Sequence, residues 1–596
     1  MEKLREEIDE QYKWDLSSIY KSNLELAKDF EEVKNKIKAF KKYEDNFLTS
    51  AETLYACLKD SNNIEMLLDK MWTFVSHRYD TDITNNDNQM WKDKVYNLYE
   101  DYSKVNSFMV PRLLKFGPKK IKEYYNDFPS LKEFEFNLTE IFRYNSHTLS
   151  EKEEKLISNL SKAFSDTEKI SEMLSYSDID FGEITNENGE KVKLNDTNYA
   201  IYISSKDRSV RKEAFKKLYD TYKQYNNTYA LSLSADIEKR VTFSKVKNYN
   251  SALEASLFDD NIDVSVYNNL IDTVSNNLTP LFDYYKLKQK LLGLDEFHLY
   301  DVYVSVTKES DKKYSFEEAK GLVISALKIL GEDYTKNLEK AFNERWIDIY
   351  PNKGKKGGAY SGGSYLTKPF VLLNFNGRYN DVTTLAHELG HSMHSYYSIK
   401  NNPYQYSNYS IFVAEVASQV NELLLANYML MNEESKEAKI NILNELLDLF
   451  KGSIYRQTMF AEFEKIISEK AESGEILTAD VLNNTYLKLV KKYFGNDVIV
   501  DEEIKYEWQR VPHFYYNFYV YKYSVGLASA LYIVKRILNN EENAKEDYLN
   551  FLKTGGSMYP LDELKIAGVD LTNPKIIQNA MDMFKDYLEQ FKKLVS

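Results

Sequence analysis

Cysteine, proline and glycine are scarce in this sequence, and each scarcity excludes certain folds or sites. Its 596 residues include one cysteine, Cys57, which excludes an intrachain disulfide and a metal site built from several cysteines. The lack of a disulfide fits a reducing cytoplasm. Only 10 prolines and 20 glycines interrupt the chain, which favours a mainly α-helical fold.

A basic excess and long apolar runs are also missing. Acidic residues outnumber basic ones by 92 to 78, whereas a nucleic-acid-binding surface needs a positive face, so no nucleic-acid partner is expected. We find no run of about 18 apolar residues. Residues 1–10 are charged and contain no apolar signal region. We expect a soluble, cytoplasmic protein without a membrane span; its oligomeric state is unknown from the sequence.

Apolar residues recur at three- and four-residue spacing along most of the chain, as in residues 24–43 and 51–74, and this spacing predicts amphipathic helices. We predict three regions: an N-terminal helical region over residues 1–110, a helical connecting region over residues 111–200 that ends in a small hairpin, and a large C-terminal domain over residues 201–596 that holds the motifs described below.

Three stretches break the helical pattern. Residues 184–194 alternate around Asn188-Gly189, which predicts a β-hairpin, and residues 200–204 resemble a short strand. Residues 351–378 hold six of the 20 glycines, and residues 369–377 within them predict a strand. A phosphate-binding loop is excluded there because its Gly-Lys-Ser/Thr ending is absent. We expect an exposed strand edge that takes an extended peptide, or an ordinary edge strand beside a mobile loop.

The chain is organised around the pattern His387-Glu388-x-x-His391. Residues four apart share one face of a helix, so the two imidazoles can hold one zinc ion through ring nitrogens. Glu388 follows the first ligand and is placed to act as a general base on a water. The alternative is a buried helix with incidental histidines. We predict a metal-dependent hydrolase with one zinc ion per chain.

Catalytic zinc usually has three protein ligands, so a third ligand is needed. His394 shares the helix face, but three ligands on one straight helix would crowd the ion to one side. Glu415 is a carboxylate among apolar residues on the next predicted helix, and a charge in such surroundings needs a partner such as a cation. We predict Glu415 as the ligand and His394 as the rival, with Asp381 and Glu422 as weaker candidates for orienting the imidazoles.

A third informative stretch, residues 511–526, combines a histidine with many tyrosines. A helical aromatic stripe is usually part of a core. Hydrolysis of a peptide bond, however, builds negative charge on the carbonyl oxygen, which His513 and tyrosine hydroxyls could stabilise. We favour an active-site wall. Its tyrosines are Tyr515, Tyr516, Tyr519, Tyr521 and Tyr523.

With these motifs in hand, the chain resembles the oligoendopeptidase F group of the thimet oligopeptidase-like zinc metallopeptidases. The resemblance rests on residues 387–394, on residues 412–418, which match the segment of the family's third ligand, and on the His-Phe-Tyr run. It implies that Tyr521 stabilises the oxyanion and that His513 and the neighbouring tyrosines bind substrate. It also implies an elongated helical zincin fold with a deep substrate channel and a small β-sheet near the active site.

The sequence therefore predicts a cytoplasmic zinc endopeptidase that cleaves short, unstructured oligopeptides. Zinc would be held by His387, His391 and Glu415, and Glu388 would carry the proton from water to the leaving amine. One alternative is a peptidase that removes C-terminal dipeptides. Another is a catalytically idle peptide-binding protein, although binding alone does not need the general base Glu388.

Overall fold

The computed structural model describes residues 3–164, 166–307 and 312–596, and most of them are helical. In chain order the α-helices are α1 (Asn23–Phe40), α2 (Ala51–Thr81), α3 (Asn86–Asn106), α4 (Met109–Phe116), α5 (Pro118–Asp127), α6 (Glu135–Arg143), α7 (Glu151–Phe164), α8 (Asp166–Met173), α9 (Asp196–Ile203), α10 (Arg208–Gln224), α11 (Asn226–Val246), α12 (Ala252–Phe258), α13 (Val264–Ser275), α14 (Thr279–Leu291), α15 (Phe316–Leu327), α16 (Glu332–Asn343), α17 (Tyr379–Asn401), α18 (Ile411–Asn432), α19 (Lys436–Phe450), α20 (Gln457–Glu472), α21 (Ala479–Phe494), α22 (Tyr521–Leu538), α23 (Ala544–Phe551), α24 (Pro560–Ile566) and α25 (Lys575–Val595).

The strands are short: β1 (Glu183–Thr185), β2 (Lys191–Lys193), β3 (Ile347–Asp348), β4 (Tyr360–Gly362) and β5 (Phe370–Leu372). The mainly α-helical fold class with small sheets is thus confirmed. None of the described helices combines the length and the apolar content that a membrane-spanning segment needs.

By compactness the chain divides into two units that are discontinuous in sequence. Unit 1 comprises Met1–Ser146, Asp311–Asn432 and Ile533–Val569, and unit 2 comprises His147–Ser310, Glu433–Tyr532 and Asp570–Ser596. The sequence-based boundaries at residues 110 and 200 divide the chain differently, and they stay a prediction. The predicted metal motif lies in unit 1, and the tyrosine-rich stretch lies in unit 2.

The first helices of unit 1 form where the apolar spacing predicts them. Ser22 and Ser50 cap α1 and α2 by accepting hydrogen bonds from the backbone N–H groups of Glu25 and Thr53. The inward stripes of these helices are fully buried, as at Leu26 and Leu54. Helix α2 runs seven residues beyond the predicted end, to Thr81, because its apolar face continues against neighbouring elements.

The two β predictions near residue 190 have different outcomes. Residues 184–194 do form a hairpin, in which β1 pairs antiparallel with β2, and Gly189 has the positive φ of 79° that the turn requires. The predicted strand over residues 200–204 is wrong, because residues 200–203 belong to α9 and Ser204 is its C-cap. Asn195 and Asn198 form a reciprocal capping box that starts this helix, and it outweighs the β-branched residues that follow.

A three-stranded sheet in unit 1 has the order β3-β5-β4. Strand β5 lies in its centre, parallel to β3 and antiparallel to β4, and its three side chains are fully buried. The expectation of an exposed strand edge over residues 369–377 is therefore wrong. An uninterrupted apolar run is typical of an interior strand, and the edge beside α17 is formed by β4.

Candidate metal centre and active site

Helix α17 carries the His387-to-His391 motif and packs closely against α18. At Gly390 a β-carbon would lie 2.5 Å from Ser418 Cα and 2.6 Å from the Ala417 backbone oxygen. Only glycine lets the two backbones approach this far. The side-chain amide of Asn421 on α18 donates to the Ala386 carbonyl of α17 at 3.1 Å, which fixes the register of the two helices. This approach places the first turns of α18 opposite the histidines.

Three ligand atoms converge at this crossing. His387 Nε2 lies 3.2 Å from His391 Nε2, and Glu415 Oε2 lies 3.4 Å from the first nitrogen and 3.7 Å from the second. A tetrahedral zinc ion with bonds of about 2.0–2.1 Å would separate its ligand atoms by about 3.3 Å. His387, His391 and Glu415 form the one group of this kind found among the described residues. Their spacing and donor types fit zinc.

Neighbouring groups orient each ligand. Glu422 Oε2 lies 3.4 Å from His387 Nδ1, and the His391 ring hydrogen-bonds the backbone of Ala414. These partners leave the facing Nε2 atoms as lone-pair donors, the usual arrangement of metal-binding histidines. Burial alone would lower the pKa of His387, but the carboxylates of Glu422, Glu388 and Glu415 raise it to about 9. The carboxylates around this histidine therefore make the position electrostatically favourable for a cation.

Glu388 is buried, with 7% of its surface exposed. Burial raises the pKa of its carboxyl group to about 7, against the lowering effects of His387 and of a hydrogen bond from the Ser361 backbone N–H. The Ser361 hydroxyl also lies 2.8 Å from the hydroxyl of Ser392 on α17. Strand β4 is thereby fixed to the helix beside Glu388. A carboxyl group with a pKa near neutrality is suited to accept and return a proton.

His394 is not part of the ligand group. It is fully buried, its ring stacks on Tyr409 at 3.6 Å, and burial lowers its pKa to about 3. Neither ring nitrogen has a hydrogen-bond partner among the described residues. The structure thus brings Glu415, but not His394, to the histidine pair.

Of the two predicted orienting carboxylates, only Glu422 reaches an imidazole of the ligand group. Asp381 instead accepts the backbone N–H groups of Asn376 at 3.0 Å and Arg378 at 2.8 Å. It therefore caps the start of α17, a position at which a negative charge also interacts favourably with the helix dipole.

In unit 2, three of the predicted tyrosines form a connected aromatic cluster with His513. Tyr523 Oη lies 3.4 Å from His513 Nε2, and ring centroids are 5.3 Å apart for His513 and Tyr516 and 5.4 Å apart for Tyr519 and Tyr523. Tyr516 is 43% exposed. The cluster thus combines a titratable ring with several hydroxyl groups.

The other two tyrosines of this segment are turned elsewhere. Tyr521 is 1% exposed and packs on Tyr267, with ring centroids 5.0 Å apart. Tyr515 hydrogen-bonds the hydroxyls of Ser232 and Ser171. Tyr519 and Tyr523 are four residues apart around the start of α22, a spacing that places two side chains on one helix face, whereas Tyr521 lies two residues from each.

Sequence reasoning missed two serines of the metal centre. The Ser418 hydroxyl lies 2.8 Å from the backbone carbonyl oxygen of Glu415 and 3.1 Å from its Oε2, and Ser361 donates its backbone N–H to Glu388. The contact of Ser418 could have been predicted, because Ser418 lies three residues after Glu415 on one helix face. The contact of Ser361 could not, since a backbone contact leaves no trace in residue type.

Family models match two parts of the chain, and relatives match nearly all of it. Residues 201–583 match the model of peptidase family M3, and residues 112–181 match a model described as oligopeptidase F. Oligopeptidase PepF of Bacillus subtilis is 41% identical over 99% of this chain and 88% of its own length. An oligoendopeptidase F homolog of Borreliella burgdorferi is 42% identical over 99% of both chains.

Solved structures show the same fold. A peptidase of Chlamydophila abortus superposes with a TM-score of 0.92 at 36% identity and covers 100% of both chains. The oligoendopeptidase F of Enterococcus faecium superposes with a TM-score of 0.74 at 33% identity, over 96% of this chain and 99% of that one. The family model spans more than half of the chain, and the relatives match over nearly all of it. This chain therefore belongs to peptidase family M3, in its oligoendopeptidase F group.

Proposed function

We propose that this chain is a zinc-dependent endopeptidase that hydrolyses short, unstructured oligopeptides in the cytoplasm. The observation that carries the proposal is the convergence of His387, His391 and Glu415 within zinc-binding distances, next to the buried carboxyl group of Glu388. Family membership supports the peptidase activity. The presence of a single cysteine, with no disulfide possible within the chain, supports the compartment.

Different residues of the chain have different roles in hydrolysis. His387, His391 and Glu415 would hold the ion. When bound, zinc supplies Lewis-acid chemistry, since it polarises a carbonyl group and lowers the pKa of water. The carboxylate of Glu388 accepts the proton of the attacking water and returns it to the nitrogen of the leaving amine. The near-neutral pKa of this group supports both transfers.

Strand β4 is the element we propose for aligning the peptide backbone. Its inner edge pairs with β5, while the Ser361 N–H points towards Glu388. An extended peptide could add to the outer edge of β4 through main-chain hydrogen bonds, which would recognise the backbone and tolerate varied side chains.

The developing oxyanion needs donors besides the metal. We assign this role to His513 together with a tyrosine of the same segment. The resemblance to the family favours Tyr521. The contact between Tyr523 and His513, at 3.4 Å, and the burial of Tyr521 support Tyr523 as the stronger candidate.

Glu388→Gln tests the proposal. This variant should bind zinc as the wild type does and lose about 100- to 10,000-fold in kcat on an internally quenched peptide, because the amide cannot accept the proton. Glu339→Gln, at an exposed carboxylate of α16, is the matched control and should keep full activity. Full activity in zinc-loaded Glu388→Gln would refute the mechanism.

A further inference from the structure

The segment that carries His513 contains a strained turn. Asn517 and Phe518 both adopt the left-handed backbone conformation, with φ of 54° and 57°. Asparagine tolerates this conformation, but for a bulky residue such as phenylalanine it is a clear outlier. Such strain persists only where the surrounding structure holds the backbone firmly, and it is concentrated at functional sites.

Two buried charged side chains form hydrogen bonds with the backbone at the two ends of this turn, Phe514 and Phe518. The guanidinium of Arg240, on α11, donates to the Phe514 backbone carbonyl at 2.7 Å. The carboxylate of Glu464, on α20, accepts the Phe518 backbone N–H at 2.7 Å. Arg240 also donates to Glu464 at 3.3 Å, so the two side chains that bond the backbone are themselves joined. A single ion pair thus spans the four peptide bonds between Phe514 and Phe518.

The network is deeply buried. Glu464 is fully buried, Arg240 is 9% exposed, and Asp236, which also pairs with Arg240, is 1% exposed. Burial raises the pKa of Glu464 to about 7, against the lowering effects of Arg240 and the Phe518 N–H. Buried ion pairs are poor sources of stability, because desolvation offsets their attraction. A buried ion pair does, however, fix the geometry of the groups it bonds, and this explains its presence here better than stability does.

The middle and the far end of the segment are held as well. The Ser256 hydroxyl donates to the Asn517 carbonyl at 2.7 Å, and the ring of Phe518 packs on Tyr267 at 5.8 Å between centroids. His513 lies directly before the turn of residues 514–518, and Tyr519 and Tyr523 follow this turn. The turn therefore sets the position of His513 relative to that of Tyr523, which contacts it.

We propose that Arg240 and Glu464 are positioning residues that hold the left-handed turn at Asn517 and Phe518 and thereby place His513 and Tyr523 for the peptidase reaction. Neither side chain need touch the substrate. The proposal rests on the role assigned above to His513.

Kinetics of the zinc-loaded enzyme test the effect on the reaction. Arg240→Lys keeps the charge but cannot bond Phe514, Glu464 and Asp236 together. We therefore expect kcat to fall about 10- to 100-fold and KM to change less than about twofold. This pattern indicates lost transition-state stabilisation. Glu464→Gln, which still accepts the Phe518 N–H, should retain clearly more kcat than Glu464→Ala. In a His513→Ala background, Arg240→Lys should cause little further loss.

Arg211→Lys is the matched control. Arg211 is 2% exposed and pairs with the buried carboxylate of Asp301 at 2.6 Å, so this change also disturbs a buried arginine of unit 2. It should lower the melting temperature comparably and leave kcat unchanged. An unchanged kcat in folded Arg240→Lys, or an equal loss of kcat in Arg211→Lys, would overturn the proposal.

Histidine NMR gives a readout that does not depend on activity. The chain has seven histidines, and the His513 ring signal can be assigned by its loss in His513→Ala. Arg240→Lys should shift this signal and leave those of His387 and His391 in place; an unshifted His513 signal would overturn the positioning role. If the wild type cleaves no peptide, the proposed function fails, and the NMR comparison still decides whether Arg240 positions His513.

Discussion

At the scale of single residues, the metal centre shows how similar side chains acquire different roles. His387, His391 and His394 all lie on α17, yet only the first two meet Glu415. The third is directed into an apolar contact with Tyr409 and Phe551. Burial there lowers its pKa and keeps the ring neutral. Spacing on a helix selects which residues share a face, and the neighbouring helix decides which of them face the ion.

The third ligand can be tested by paired substitutions. Glu415→Ala removes one of three converging donors and should weaken zinc binding by more than the roughly 10–100-fold that loss of an outer partner costs. His394→Phe keeps an aromatic ring on Tyr409 and should retain zinc. Zinc content after dialysis against a competing chelator distinguishes the two. Equal loss of zinc from His394→Phe would place His394 among the ligands.

At the scale of elements, the close approach of α17 and α18 is what assembles the site. The approach depends on Gly390, where the opposing backbone lies 2.5 Å from the position of a β-carbon. Asn421 ties the same two helices by a hydrogen bond. The carboxylate of Glu415 lies on one helix and the imidazoles of His387 and His391 lie on the other, so any separation of the pair enlarges the site.

Gly390→Ala should therefore affect both stability and metal binding. The added methyl group forces α17 and α18 apart at a cost of about 1–3 kcal/mol in unfolding free energy, and the displaced Glu415 should weaken zinc binding. Gly321→Ala on α15 is the control, because nothing lies within 4 Å of its β-carbon position. It should stabilise the protein by up to about 1 kcal/mol. Chemical denaturation and zinc titration measure the two effects; equal behaviour of the variants would contradict the packing argument.

Helix α2 packs on the sheet through a histidine that is held neutral. His77 is 5% exposed, its ring lies 5.4 Å from that of Phe370, and its Nδ1 bonds the Thr73 carbonyl at 2.6 Å. Burial lowers its pKa to about 4. Below the ordinary value of about 6.5 the unfolded chain binds a proton that the folded chain does not, so this contribution to stability falls as the pH falls from about 6.5 to 4.

His77→Phe removes this titration. The free energy of unfolding of the wild type, relative to that of the variant, should drop by up to roughly 3 kcal/mol between pH 7 and pH 4. Urea denaturation of both proteins across this range measures the difference. Parallel pH profiles would show that His77 is not buried in the neutral form.

At the scale of the whole molecule, we expect the fold to form without a bound metal. Helices α17 and α18 are joined by packing and by the Asn421 hydrogen bond, and the sheet is built from backbone pairs. The extensive apolar core of the described residues supplies the main stabilisation. We therefore expect metal binding to add only modestly to the stability of the fold.

Removal of zinc by a chelator should abolish peptide cleavage and leave the far-ultraviolet circular dichroism spectrum nearly unchanged. The melting temperature should fall, because bound zinc stabilises the folded state by about 2.7 kcal/mol at a free concentration one hundred times its Kd. Added zinc should restore both properties. Loss of helical signal on chelation would show that the metal is needed for folding.

The sequence by itself determined the chemistry and the fold class. The spacing of His387, Glu388 and His391 follows from helix geometry, and the helical pattern of α1 and α2 follows from apolar periodicity, which are both local properties. The resemblance to oligoendopeptidase F, carried by the same motifs, is confirmed by the family match.

Only the tertiary structure decided the rest. It made β5 a central strand and β4 the edge, turned residues 200–203 into helix, gave Asp381 a capping role and buried Tyr521. It also revealed the backbone contact of Ser361 with Glu388 and the ion pair that grips Phe514 and Phe518. Each of these depends on which distant segment packs against a residue, and residue type and local spacing carry no information about that partner.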